Sequence, residues 1–366
     1  MVLRRIGRRP AELESLSLFA QLKATVRPGA KMHDPSAMQD FLDQVGHGLQ
    51  KSLANPARLH GWRVQAMFEA MVVGLGSVQL IKTEDTGDCY FDDATAQIKL
   101  PDYRIVRADG ERLLVEVKNV PPGQEGKPQR ISAVDIEGMQ RYAELTGARL
   151  VLAHYWAAAR MWSLADSTVL SREKEAMTLS LETAMKANEL VALGDAWIAT
   201  RPPLVLSVLA DMNKPRAVRD KTPRAQEVAF TIGRVELLCA GRALTDEVEQ
   251  RIALFLIQFG SWEMHEELRY SDDGRPARVD IVLEPTVPPE SHAITQDFHM
   301  IGQLSSMYST LFTLATMTEQ GDVTNLSHEP DPGMLADLIP QDYWRQSDRA
   351  LPLWRFDMSP SIGPAS

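Results

Sequence analysis

Asp102, Glu116 and Lys118 form the constellation in this sequence that points to a particular reaction. They stand in Pro101-Asp102 and, across a short hairpin, in Glu116-Val117-Lys118. Two acids and an amine brought together on neighbouring strands suit a metal-dependent phosphodiesterase. Carboxylate oxygens hold hard divalent ions, and a compact ammonium beside them can meet a phosphate. A further acid, Glu69, lies on an earlier helix.

Whether the acids meet depends on the hairpin. Asp109-Gly110 is a strong turn signal. A three-residue loop over 108–110, with Gly110 at positive φ, pairs Arg107 with Glu111, a charge pair worth up to ~1 kcal/mol. Counting outward, that register sets Asp102 opposite Glu116. A two-residue loop would instead set Asp102 opposite Val117, on the other face, unless a bulge restored the geometry. Side chains alternate along a strand, so Lys118 shares the face of Glu116 while Val115 and Val117 supply the opposite, helix-covered face.

The surrounding elements follow from periodicity. Phe41, Val45, Leu49 and Leu53 mark one face of a helix in the lead-in over 1–60. Val64, Met67, Phe68, Met71, Val72 and Leu75 mark a stronger helix that carries Glu69 and closes at Gly74 and Gly76. Strands are expected at 77–82, 98–107 and 113–120, a helix at 134–146, strands at 149–155 and 161–164, and a polar helix at 171–192. This order implies an α/β sandwich with a mixed sheet over 61–195. From 196 to 366 a second α+β domain is expected. It holds strands at 204–209 and 227–239, a helix at 245–259 capped by Thr245, a hairpin of 262–270 with 277–283, and a helix at 294–317. The tail after 331 reads as loop.

The residues resemble the PD-(D/E)XK nuclease superfamily. Pro101-Asp102 matches the PD element, Glu116-Val117-Lys118 the (D/E)XK element, and Glu69 the acid many members carry on the preceding helix. The likeness covers about 61–165 and implies a restriction-endonuclease-like core, a mixed sheet flanked by helices. It implies that Asp102, Glu116, the Val117 carbonyl and Glu69 hold Mg²⁺ or Mn²⁺, and that Lys118 positions the attacking water. It also implies an endonuclease that hydrolyses DNA to 5′-phosphate ends in phage defence, restriction, or DNA repair and recombination. The other reading is a nucleic-acid-binding or scaffold subunit that keeps the fold without cleavage. Some members carry Gln-x-x-x-Tyr on the next helix. Here Gln140 could reach the site, but Tyr142 falls at the wrong spacing, which sets this chain apart from the helicase-linked branch. A homodimer suits cutting of both strands, and any ATPase or helicase would be a separate subunit.

Composition bounds the rest. A charged fraction of 24% and a hydrophobic fraction of 44% are ordinary for a globular protein. No apolar run is long enough to span a membrane, and no signal peptide follows the basic N-terminus, so a cytoplasmic protein is expected. Cys89 and Cys239 stand far apart, which supports neither a disulfide framework nor a zinc site. A net charge of −10 excludes a uniformly basic surface but not a local one. Lys214, Arg216, Arg219, Lys221 and Arg224 form a basic loop, solvated or contacting phosphates near the active site. Asp85, Asp88, Asp92 and Asp93 read as a solvated loop, and His154 as a structural histidine. Asp280, Glu284, Glu263, Glu266 and Glu267 read as surface charge.

Overall fold

The computed structural model describes residues 3–5, 11–26, 29, 31–84, 90–91, 97–222, 225–286, 297–345 and 348–361. Asp85, Asp88, Cys89, Asp92, Asp93 and Arg224 lie outside the described residues. The protein is mixed α/β, with a mixed sheet flanked by helices. Among the described residues no helix is long and apolar enough to cross a membrane.

The first sheet runs in the order Val78–Thr83, Tyr103–Arg107, Arg112–Val120, Arg149–Trp156, Met161–Asp166. Its pairs are antiparallel except the central one, where Arg112–Val120 and Arg149–Trp156 run parallel. A parallel pair needs a crossover, and the Ala133–Thr146 helix supplies it, stopping at Gly147 in the left-handed region. The Pro56–Leu75 helix covers the other face. Asn55 caps it by accepting from the Arg58 N–H, Pro56 opens its first turn, and left-handed Gly76 ends it.

Strand alternation divides the central residues between these two helices. Leu113, Val115 and Val117 join Val64, Phe68 and Met71 in one cluster. Leu114 and Leu152 join Ile136, Met139 and Ala143 of the crossover helix in another. Each fully buried side chain of this kind stabilises by roughly 1.5–3 kcal/mol. Glu116 and Lys118 therefore fall on the crossover-helix face.

The second half is built on another five-stranded antiparallel sheet. Its order is Arg242–Ala243, Ile232–Cys239, Leu204–Ala210, Pro276–Pro285, Trp262–Tyr270. The Glu247–Phe259 helix lays Ile252, Ala253 and Leu256 on one face, against Leu204, Leu237 and Leu283. That apolar cluster continues into the first sheet through the Leu304–Thr316 helix.

Several elements differ from the sequence expectation. Residues 171–192 are not one helix but a hairpin, Ser171–Glu173 with Ala176–Leu179, then a short helix Leu181–Lys186 and a 3₁₀ turn. Lys174 takes a positive φ at the turn, and Ala176–Leu179 pairs with Gln129–Ser132 while burying Leu179. Tertiary pairing overrides the helix propensity of Glu, Lys and Ala. The basic segment is a β-ribbon, Arg216–Thr222 with Ala225–Phe230, rather than a loop. Asp246, not Thr245, caps the Glu247–Phe259 helix, accepting from Val248 and Glu249 N–H groups at 3.0 Å. His299–Gln303 is a strand before the Leu304–Thr316 helix, and Leu353–Phe356 of the tail is a strand; both pair with Trp197–Thr200. The Pro35–Leu53 helix forms as expected, yet Leu49 and Leu53 on its periodic face stay exposed. Asp280 is buried rather than surface charge, held by Ser207 and Arg278.

One cation ties the near end of the first sheet. Arg149 bonds Glu111 at 2.8 Å, Asp166 at 2.9 Å and Glu189 at 2.7 Å. Asp166 is buried, so removing the guanidinium strands a carboxylate away from water. Arg149→Met is expected to cost about 3 kcal/mol. Urea unfolding should show this as a lower midpoint at unchanged slope.

Candidate active site

The hairpin takes the three-residue loop. The Arg107 N–H donates to the Glu111 carbonyl at 2.9 Å, the Gly110 N–H to the Arg107 carbonyl at 3.0 Å, and Gly110 has φ 90°. Arg107 and Glu111 also form an ion pair. The ladder then runs Val106 with Arg112, Ile105 with Leu113, Arg104 with Leu114, and Tyr103 with Val115. The next position sets Asp102 opposite Glu116.

At that position the ladder ends for a chemical reason. In this register the N–H and carbonyl of Val117 face residue 101, and Pro101 has no N–H to give. The Val117 N–H, whose ladder acceptor would be the Pro101 carbonyl, donates to the Asp102 carboxylate, Oδ2 accepting at 2.7 Å. The Val117 carbonyl is left facing a proline that cannot donate to it. Gln65 Nε2, from the Pro56–Leu75 helix, donates to Asp102 Oδ1 at 2.6 Å. Asp102 is thus held at both oxygens at the rim of the sheet, between strand and helix.

Two supports fix the segment before it. Lys99 Nζ bonds Asp135 Oδ2 of the crossover helix at 2.5 Å. Gly138 on the same helix lets the backbone at 97–99 pass close: a Cβ there would lie 3.1 Å from the Lys99 nitrogen and 3.2 Å from the Gln97 carbonyl oxygen. From the other side, the Tyr103 hydroxyl donates to the Gln65 carbonyl at 3.0 Å and lies 3.5 Å from Glu69 Oε2.

The charges are unevenly matched. Glu116 is only 5% exposed, and its Oε1 accepts from Lys118 Nζ at 2.5 Å. Burial pushes the Asp102 carboxyl up to about 7, and the facing charge of Glu116 adds to that push. The Val117 N–H, Lys118 and Lys99 oppose the rise without cancelling it. A half-buried and a buried carboxylate, with one ammonium bonded to the second, form an oxygen-rich set short of positive charge. That donor set suits a hard divalent cation.

Directly beside Lys118, in parallel register, is His154. It is fully buried, stacked on Trp156 at 5.8 Å, and neither ring nitrogen has a hydrogen-bond partner among the described residues. Burial lowers its pKa to about 3, and the charge of Lys118 lowers it further. The ring is therefore neutral at physiological pH.

The structure gathers some of the sequence-expected residues and not others. Asp102, Glu116, Val117 and Lys118 come together. Glu69 lies one helical turn from Gln65, beside the Tyr103 hydroxyl, on the face covered by the Pro56–Leu75 helix. Among the described residues no group of three His, Cys, Asp or Glu is placed to hold a metal. Gln140 is turned away, its Nε2 donating to Ser167 Oγ at 3.2 Å beyond the far strand. Tyr142 instead donates to Glu84 at 2.6 Å, and Glu84 also pairs with Arg104 at 2.7 Å. Of the basic segment, Arg216 is fixed to Asp273, Ser271 and the Pro276 carbonyl, and Lys214 is exposed on the turn before the ribbon. Arg219 and Lys221 are placed on the ribbon by its backbone. Sequence reasoning missed Gln65; its signal was the four-residue spacing from Glu69, which puts both on one helix face.

No family model matches the sequence, and no curated protein matches it. Among solved structures the chain has a weak likeness to a Holliday junction resolvase from Archaeoglobus fulgidus. The identity is 17% and the TM-score 0.30, over 37% of this chain and 96% of that one.

Asp102 binds its proton more tightly folded than unfolded, so its contribution to stability is present at low pH and lost as pH rises toward 7. Asp102→Asn removes that loss. In thermal melts the variant should match the wild type near pH 4 and exceed it at pH 8. Added Mg²⁺ should raise the wild-type melting temperature at pH 8 far more than at pH 5, and should not raise that of the variant.

Proposed function

We propose that the protein is a divalent-cation-dependent nuclease acting on DNA phosphodiester bonds. One observation carries the reading: Asp102 faces Glu116 across the hairpin, Lys118 lies on the same face, and Pro101 leaves the Val117 carbonyl without a ladder donor.

Asp102, Glu116 and the Val117 carbonyl would hold Mg²⁺ or Mn²⁺, with Glu69 completing the shell through water. A cation there would neutralise charge on the scissile phosphate and lower the pKa of a water. The chain's own residues do the rest. Gln65 and the Val117 N–H orient the Asp102 carboxylate, so its lone pairs are presented in one direction. The Glu116 carboxylate holds the Lys118 ammonium at the rim of the sheet. Lys118 would donate to a phosphate oxygen or to the attacking water. Its compact charge would oppose the negative charge that develops in the transition state. Lys99, about two-fifths exposed beside Asp102, would meet an adjacent phosphate.

A second reading keeps the fold without cleavage. It is favoured by the absence, among the described residues, of a third acid grouped with Asp102 and Glu116.

A cleavage assay on single-stranded, duplex and branched DNA, with Mg²⁺, Mn²⁺ or EDTA, separates the two. The nuclease reading expects cutting that needs the cation and falls ~10²–10³-fold in Lys118→Ala, with binding in EDTA unchanged. Binding without cutting in both proteins, under every cation, would leave the scaffold reading standing.

A further inference from the structure

The second sheet carries an arginine row that the candidate active site does not use. Its strands register Arg234 with Leu209, Leu209 with Arg278, and Arg278 with Arg269. Three guanidiniums therefore lie on one rung crossing four strands. The next rung on the same face reads Glu236, Ser207, Asp280, Glu267. Each arginine leans on an acid of that second rung: Arg234 on Glu236 at 2.8 Å, Arg269 on Glu267 at 2.6 Å, and Arg278 on Asp280. Asp280 is 3% exposed and also accepts from the buried Ser207 hydroxyl at 2.6 Å.

Like charges on adjacent strands destabilise a sheet. Arg278 and Arg269 stand directly opposite each other, with Arg234 beyond Leu209, and holding each with its own acid is a costly way to decorate a surface. The three arginines line an open cavity of about 920 Å³, together with Asp211, Met212 and Asn213 of the neighbouring turn and with Asp280. A guanidinium has five N–H donors, and one carboxylate engages at most two of them. The acid rung thus fixes the forks from behind and leaves donors facing the cavity. The row spans three strand intervals of ~4.8 Å. Leu209 separates Arg234 from Arg278, while Arg278 and Arg269 are direct neighbours, so the donors are spread along the rung as an extended anion requires and a single small one does not. The base of the Arg216–Thr222 and Ala225–Phe230 ribbon is pinned to the turn beside this row, through Arg216 to Asp273 and Ser271.

We propose that Arg234, Arg278 and Arg269 form a cradle for the phosphodiester backbone of a nucleic acid, separate from the carboxylates of the first sheet. The proposal deepens the nuclease reading by naming where the substrate is held. It is tested by binding rather than by cleavage.

Fluorescence anisotropy in EDTA, with labelled single-stranded and duplex oligonucleotides over a salt series, reads it directly. Arg234→Gln and Arg269→Gln alter exposed residues and leave the direct Arg278–Asp280 ion pair in place. Each should weaken binding about tenfold and reduce the salt slope by about one. Arg251→Gln, on the helix that covers the opposite face, should bind as wild type does. If Arg251→Gln weakens binding as much as the row variants, the effect is only net charge and the cradle is overturned. If the wild type binds and the row variants bind equally well, the cradle fails while the nuclease reading stands. If the wild type binds no nucleic acid, both fail.

Discussion

Two carboxylates facing each other across one rung of a hairpin set the terms for the rest of the first sheet. Like charges opposite one another oppose pairing, and withdrawal from water makes each more costly. Asp102 and Glu116 are nevertheless held there by three donors: the Val117 N–H, the Gln65 amide and the Lys118 ammonium. The arrangement begins with a proline. Pro101 has no N–H for the Val117 carbonyl, and the Val117 N–H turns to the Asp102 side chain, which holds the carboxylate at the sheet rim. Ordinary strand chemistry would have left it in solvent.

That placement needs walls on both sides. Gly138 admits the incoming backbone against the crossover helix, and Lys99 ties the same stretch to Asp135. Tyr103 anchors the first strand residue to the Pro56–Leu75 helix through the Gln65 carbonyl, while the Gln65 side chain reaches Asp102. One residue thus links helix to strand and strand to site. The ends of the hairpin are set independently. Arg149 and Arg107 hold Glu111 at the turn, far enough from the carboxylates to fix register without adding charge to the site. Register and site chemistry are governed by different ion pairs.

The sequence made the hairpin legible because its determinants are local. Asp109-Gly110 fixes the loop, and a period of two then carries the register to Asp102 and Glu116. The helix with Glu69 was legible from its apolar stripe, and its opposite face from Val115 and Val117. What escaped is what depends on distant chain. Gln65 matters only because the helix phase meets the strand end, which no local pattern encodes. Residues 171–192 carry Glu, Lys and Ala enough for a helix, yet pairing with Gln129–Ser132 turns part of them into a strand. Asp280 read as surface charge because its cover, Ser207 and Arg278, comes partly from a strand some seventy residues earlier. The arginine row exists only once four strands are in register.

Charge ties the two sheets together. The carboxylate site is short of positive charge, and without a cation it repels the phosphate it would cleave. Net charge at −10 offers no general attraction. At physiological ionic strength fields fade within about 8 Å, so a phosphate chain responds to the groups it touches rather than to the total. On the nuclease reading proposed above, other contacts would have to hold substrate while the carboxylates hold a cation. Arginines buttressed by their own acids, as in the proposed cradle, would supply such contacts. They would present donors to an anion without adding net charge to the fold, and the carboxylates would stay governed by their own balance of acid and amine.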